Sequence, residues 1–255
     1  MNTSILKVTG LARAFDGVRA VDGVSFDVAA GELVALIGPN GAGKSTCFNL
    51  VNGQLAPDAG TISLADQRID GLSPQLIARR GVGRTFQVAA TFASMTVREN
   101  VVLSLLAHAG EHGTMLATPA KGLAVQADAL LARVGCLELA DTHCATLAYG
   151  NAKRVELALA LAGEPRLLLM DEPTAGMGAT ERGELMQLTA NLACDSGIAV
   201  LFTEHDMDVV FRHAGRVIVL AEGALIAQGT PADVRVDPLV RRVYLGESDA
   251  EPGHA

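Results

Sequence analysis

Residues 33–46 read LVALIGPNGAGKST, and the rest of the chain is best understood outward from them. The five apolar residues 33–37 fit a short strand buried on both faces. The next nine, Gly38, Pro39, Asn40, Gly41, Ala42, Gly43, Lys44, Ser45 and Thr46, match the phosphate-binding pattern G-x-x-x-x-G-K-[ST]. KSTCFNLVNG then reads as a helix ending at Gly53. Each residue type has a task. The glycines let the backbone curl so that its N–H groups point inward, and the following helix turns its positive end to the same anion. Lys44 would reach the β- and γ-phosphates, and the Ser45 hydroxyl would bind Mg2+. Alone, the loop specifies a nucleotide binder, a class that includes kinases, GTPases, helicases and transporters.

The flanking sequence supplies the surrounding fold. ILKVTGLARAF and AVDGVSFDVAA alternate in polarity around Asp16-Gly17, which predicts a hairpin ahead of the main sheet. RLLLM (166–170) and IAVLF (198–202) repeat the buried-strand pattern, with a crossover helix in ATERGELMQLTANLACDSG between them. RVIVLAEGALIAQG predicts a second hairpin turning at Glu222-Gly223, and PADVRVDPLVRRVYLG a terminal helical piece with Pro231 at a tolerated early position. Residues 90–160 contain no strand-like run; TVRENVVLSLLAHAG and AVQADALLARVG read as helices of an inserted subdomain. The expected class is α/β: a mostly parallel core sheet with an antiparallel β subdomain and an inserted helical subdomain.

LLLMDE, 167–172, puts Asp171 and Glu172 at the end of a buried strand, where open α/β sheets hold ligand chemistry. An Asp there can hold Mg2+, directly or through water. A Glu beside it can orient or deprotonate an attacking water. GTPases and small-molecule kinases usually lack that second carboxylate, so the pair favours an ATPase that hydrolyses.

The bulk properties exclude several other classes. The chain has 255 residues, 49% hydrophobic and 19% charged, so it can bury a substantial core and disorder is expected only at its ends, chiefly residues 247–255. A formal net charge of −8 argues against broad binding to nucleic acid, which needs clustered Lys and Arg. The first ten residues lack a signal-peptide pattern, and no apolar run reaches the roughly 18 residues of a spanning helix. A soluble, cytoplasmic protein is therefore expected. Cys47, Cys136, Cys144 and Cys194 show no CxxC spacing and read as buried or idle thiols. His108 and His112 could share a helix face but have no further ligand to complete a metal set.

The order of the motifs carries a resemblance. Phosphate loop, Gln87, Leu147-Ala148-Tyr149-Gly150-Asn151 ahead of a helix, LLLMDEPT, and Thr203-Glu204-His205-Asp206 together resemble the nucleotide-binding subunits of ABC transporters over nearly the whole chain. GVGRTFQ, the F-x-x-M-T-V-x-E-N stretch from Phe92 to Asn100, LAYG, TEHDM and AQGTPADVRVDPLVRRVYLGE are similar to one branch, the LivG-like subunits of branched-chain (hydrophobic) amino-acid importers. The resemblance implies a RecA-like P-loop NTPase core with its β subdomain in 1–89 and 161–230. It places a signature-bearing helical subdomain in 90–160 and a C-terminal helix and tail in 231–255.

It also implies roles. Phe15 would stack on adenine. Gln87 would sense the γ-phosphate and approach the metal, and His205 would hydrogen-bond the γ-phosphate. Ala148, Tyr149, Gly150 and Asn151 would contact ATP bound to a partner subunit. That partner is a second ATPase subunit, LivF-like or a second copy placed head to tail. Two permeases, docking near Phe92–Asn100, and a periplasmic binding protein would complete an importer at the cytoplasmic face of the bacterial inner membrane. An importer for urea, amides or aromatic compounds, or a soluble ABC ATPase, would share these motifs. Three departures stand out. Asn151 replaces the usual glutamine and Ala148 the usual serine, the latter a change the branch shares, and Gly178 stands where Asn or Asp is common.

Overall fold

The computed structural model describes residues 3–85, 91–109 and 120–245. Gln87, His112 and the tail from residue 246 lie outside the described residues. The chain runs β1 (Ser4–Phe15), β2 (Val18–Ala29), β3 (Leu33–Ile37), α1 (Lys44–Val51), β4 (Ala59–Leu64), β5 (Gln67–Arg68), α2 (Pro74–Arg79), β6 (Val82–Thr85) and α3 (Val97–Ala109). It continues with α4 (Ala120–Arg133), α5 (Tyr149–Leu161), β7 (Leu167–Asp171), α6 (Ala179–Ser196), β8 (Ala199–Thr203), α7 (Met207–His213), β9 (Arg216–Ala221), β10 (Ala224–Gly229), α8 (Pro231–Val236) and α9 (Pro238–Leu245).

Two sheets result. A six-stranded sheet has the order β10-β9-β3-β8-β7-β6, and a four-stranded sheet has the order β2-β1-β4-β5. The large sheet is parallel except for β10, which forms the hairpin with β9 that was expected at Glu222-Gly223. The hairpin expected at Asp16-Gly17 is β1–β2.

All five residues of β3 are buried, and the two-residue period of a strand divides them between two cores. Val34 and Leu36 join Leu169, Leu201 and Ile218 under α1, α2 and the four-stranded sheet. Leu33, Ala35 and Ile37 join Met170 and Phe202 under α5, α6 and α7. Val97 and Val101 of α3 and Leu131 of α4 extend that second core into a helical arm formed with α5.

Several elements escaped the sequence reading. β4, β5, β6 and α2 were not anticipated. β6 reads VGRT, and glycine with a charged residue in four positions carries no strand signal. The terminal piece, expected as one helix, is two. Pro238 lacks an N–H and disfavours helical backbone in the residue before it. Asp237 therefore leaves α8 extended and caps α9, its Oδ1 accepting from the N–H groups of Leu239 (2.8 Å) and Val240 (3.1 Å). Cys47, Cys136 and Cys144 are buried and Cys194 is exposed, all as free thiols. Burial pushes the Cys47 thiol up to about 12, so it stays protonated and inert.

One ion pair ties the hairpin to the large sheet. Arg216 at the start of β9 grips Glu32 with two bonds, Nε–Oε1 at 2.7 Å and Nη2–Oε2 at 3.0 Å, and donates to the Asp27 carbonyl at 2.6 Å. Burial opposes ionisation of Glu32, but the Arg216 bonds, the Ala29 N–H and the Arg216 charge outweigh it and hold its carboxyl below the ordinary glutamate range. A carboxyl lowered by folding stabilises the fold above its unfolded value and loses that contribution as pH falls through the folded one. Wild type should therefore resist urea better than Glu32→Gln near pH 7, and the difference should shrink toward zero as pH falls below the ordinary glutamate range and through the lowered folded value.

Candidate functional site

The phosphate loop leaves β3 at Gly38 and enters α1 at Lys44, fixed by its neighbours. Gly43 has φ 98°, and a Cβ there would lie 2.2 Å from the Ala20 carbonyl oxygen of β2. The Ala42 carbonyl accepts from the Gly223 N–H (3.2 Å), and the Gly223 carbonyl accepts from the Asp22 N–H (2.8 Å). The loop thus packs between strand β2 of the first hairpin and the turn of the second. Lys44 is 8% exposed, and its Nζ donates to the carbonyls of Gly38 (2.7 Å) and Pro39 (3.0 Å). Burial pulls its pKa below the ordinary lysine value, against the charges of Glu172 and Asp171. Asn40, Gly41 and Ser45 face outward, while Pro39 and Thr46 are half-buried.

The acidic pair stands at the end of β7. The parallel register sets Asp171 against Thr203 of β8. The Thr203 hydroxyl donates to Asp171 Oδ1 (2.7 Å) and accepts from the Glu172 N–H (3.0 Å), and the Thr203 carbonyl lies 3.2 Å from the same N–H. Glu172 has φ 47°, a left-handed backbone uncommon for a residue with a side chain. That turn carries its carboxylate out of the strand line toward His205, whose Nε2 is 2.9 Å from Glu172 Oε1. The structure therefore brings together Lys44, Asp171, Glu172 and His205.

Three neighbours of the site were missed in the sequence. Arg84 of β6 approaches Asp171 Oδ2 at 3.5 Å and donates to Asn49 Oδ1 at 3.0 Å. Glu204, 4% exposed, accepts from both the N–H (2.9 Å) and the hydroxyl (2.6 Å) of Thr174, joining the turn after Glu172 to the end of β8. Thr203 is the third. The available signal was the equal place of Asp171 and Thr203 at the ends of two buried strands.

Ala148 caps α5 without a side-chain bond, and Tyr149, Gly150 and Asn151 form its first turn. The Tyr149 hydroxyl donates to the Ala175 carbonyl (3.0 Å), and the Glu181 carboxylate lies 2.9 Å from where a Gly150 Cβ would be. These contacts join the signature segment to the turn beyond Glu172. Phe15 ends β1, 40% exposed, with the Arg13 guanidinium 5.1 Å from its ring centre. Between β6 and α2 on one side and α3 and α5 on the other lies a mostly apolar groove of about 530 Å³.

A phosphate loop entering a helix, with two carboxylates at the end of a buried strand one removed from it in the same sheet, defines a P-loop nucleotide-binding protein. Residues 21–175 match the ABC transporter family, and residues 224–250 match the branched-chain amino acid ATP-binding cassette transporter family. The chain is 41% identical over 256 residues to the high-affinity branched-chain amino acid transport ATP-binding protein LivG of Escherichia coli strain K12, covering 97% of this chain and 100% of that one. It superposes with TM-score 0.86 and 29% identity on the ADP conformation of an ATP-binding cassette of an ABC transporter, over 96% of this chain and 99% of the other. A dimeric bacterial ABC transporter cassette gives TM-score 0.76 at 25% identity, over 89% and 99%. The chain belongs to the ABC transporter family of ATP-binding proteins, and ATP hydrolysis is its expected reaction. Among the described residues no helix is long and apolar enough to cross a membrane.

Two substitutions test this geometry. Gly43→Ala forces a Cβ onto the Ala20 carbonyl at positive φ, so it should weaken nucleotide binding at least about tenfold and cost roughly 1–3 kcal/mol in urea unfolding. Glu204→Ala strips two buried donors of Thr174 of their acceptor. It should cost on the order of 2–4 kcal/mol by the same measurement and lower the hydrolysis rate more than the affinity for ATP.

Proposed function

We propose that this chain is the ATP-hydrolysing subunit of an importer of branched-chain or other hydrophobic amino acids, held at the cytoplasmic face of the bacterial inner membrane by permease subunits. The observation that carries the hydrolytic role is Glu172, turned out of β7 by its positive φ and set 2.9 Å from His205. The match of residues 224–250 and the likeness to LivG support the substrate class.

Gly38–Thr46 would hold the phosphates of ATP through backbone N–H groups and Lys44, whose amine exchanges its two loop carbonyls for phosphate oxygens. Phe15 would stack against the adenine. Glu172 would orient and deprotonate the attacking water, while His205 steadies that carboxylate and reaches the γ-phosphate. The oxygen donors of Ser45 and Asp171 suit a hard cation such as Mg2+, with Gln87 proposed as a further ligand. Bound there, Mg2+ would neutralise charge on the phosphate oxygens. Thr203 already fixes one oxygen of Asp171, which keeps that carboxylate oriented.

A single chain carries one phosphate loop and one signature segment, so the complete site takes two chains. Ala148, Tyr149, Gly150 and Asn151 would face the ATP of a LivF-like subunit or of a second copy placed head to tail, using the uncapped N–H groups at the start of α5. The groove beside Phe92, itself 57% exposed, would receive a segment of each permease, and a periplasmic binding protein would deliver substrate to the permeases. The net charge of −8 fits a machine with no nucleic-acid partner.

In the assembled transporter, Glu172→Gln should bind ATP within a few-fold of wild type and hydrolyse it about 10²–10⁴ times more slowly. Equal turnover would remove Glu172 from the proposed role.

A further inference from the structure

One face of α5 carries a line of polar groups through an otherwise apolar surrounding. Tyr149, Lys153 and Glu156 stand at i, i+4 and i+7, so they stack on one side of the helix. At one end, Glu156 lines the groove between the core sheet and the helical arm. It is 4% exposed, and its Oε2 accepts from Lys153 Nζ at 3.0 Å. Lys153, 5% exposed, sits with Nζ 5.6 Å from the centre of the Tyr149 ring, the range of a cation–π contact. At the other end, the Tyr149 hydroxyl donates to the Ala175 carbonyl at 3.0 Å, and the Ala175 N–H donates to the Glu172 carbonyl at 3.1 Å. Four contacts thus connect the groove floor to the backbone of Glu172.

Stability alone is a weak reason for this line. Removing two charges from water is expensive, and an apolar pair of similar shape often serves a core equally well. Moreover, this pair leaves Glu156 Oε1 buried without a hydrogen-bond partner among the described residues, a cost a purely structural pair would be selected to avoid. Burial pushes the Glu156 carboxyl above the usual range, against the hydrogen bond and charge of Lys153. An under-satisfied charged pair on a surface where two subdomains meet responds strongly to whatever enters that surface.

We propose that Lys153 is a positioning residue: it transmits occupancy of the groove, sensed at Glu156, through Tyr149 and Ala175 to the turn that places Glu172. This rests on the reading that a permease segment fills the groove. When that segment seats against Glu156, the pair shifts along α5, and the Tyr149 hydroxyl carries the shift to the Glu172–Ala175 turn. The membrane subunits thereby set the geometry of the general base from within the same chain, separately from the signature's contact with the opposite ATP.

The experiment uses the complete transporter in lipid vesicles, with its membrane subunits and substrate-loaded binding protein. The readout is the ratio of the stimulated to the unstimulated hydrolysis rate. Lys153→Met combined with Glu156→Leu removes both charges without orphaning either. Tyr149→Phe removes only a hydroxyl from a half-exposed ring and so presents little risk to folding. Both variants should still co-purify with the membrane subunits, while the ratio falls by at least about fivefold. A pair that is merely structural would move the unfolding midpoint and leave the ratio at its wild-type value, which would overturn the proposal. Ala107→Trp, which fills the groove, tests the docking reading separately. Loss of assembly supports that reading, whereas intact assembly would overturn it whatever the ratio in the other variants.

Discussion

The register between β7 and β8 sets Asp171 beside Thr203, and the arrangement of the site follows from that pairing. Shifting two buried parallel strands by one residue would turn every side chain to the wrong core, so the register is held by both hydrophobic clusters at once. Once it is fixed, a single hydroxyl serves two residues with different tasks. Thr203 fixes the orientation of the Asp171 carboxylate through one oxygen, and it caps the N–H of Glu172 just as the chain leaves extended geometry. A left-handed backbone at a residue with a side chain costs on the order of 1 kcal/mol or more. Here two acceptors on Thr203 and the Glu204–Thr174 bonds on the far side of the turn offset that cost. The two carboxylates therefore point differently although they are adjacent in sequence.

The phosphate loop is held by a different means. Its shape comes from backbone contacts with two hairpins far apart in the chain, through the Ala20 and Gly223 peptide groups. Neither hairpin contributes a chemical group to phosphate binding, yet the Ala20 carbonyl of the first excludes any side chain at Gly43. The Glu32–Arg216 pair then links β2, β3 and β9 below the loop, so the hairpins and the sheet that carries α1 behave as one support. The buried amine of Lys44, bonded to loop carbonyls, shows that the loop is shaped around a cation's donors before any phosphate is considered.

Legibility in the sequence tracked whether a feature depended on local pattern. β3, β7 and β8 are continuous apolar runs, both hairpins carry an X-Gly turn, and the phosphate loop has a fixed spacing, so each could be placed from neighbouring residues alone. β6 could not, because VGRT forms a strand only by pairing with β7. The break between α8 and α9 is written in Asp237-Pro238, although the residues around it keep a helical spacing. At the site, Asp171, Glu172, Lys44 and His205 were recognisable by type and position. Thr203, Glu204 and Arg84 were not, since each acts by reaching across to another strand or turn, and sequence order does not display such contacts.

The glycine at position 178 can now be weighed physically. Its φ of −66° lies in a region open to any residue, and a Cβ there would meet only Glu181 Oε2, at an ordinary 3.7 Å. Neither strain nor crowding calls for glycine. It caps α6 with no side chain of its own, and its N–H is instead satisfied by the Glu181 carboxylate at 3.2 Å. As an N-cap, glycine costs only a few tenths of a kcal/mol relative to Asn or Asp, so the fold is nearly indifferent to the choice. The same Glu181 carboxylate also packs against Gly150 in the first turn of α5, 2.9 Å from where a Cβ would be. One side chain thus satisfies the N–H of residue 178 and packs against the first turn of α5 at the same time. The departure at 178 and the crowding at 150 are two aspects of one arrangement, centred on Glu181.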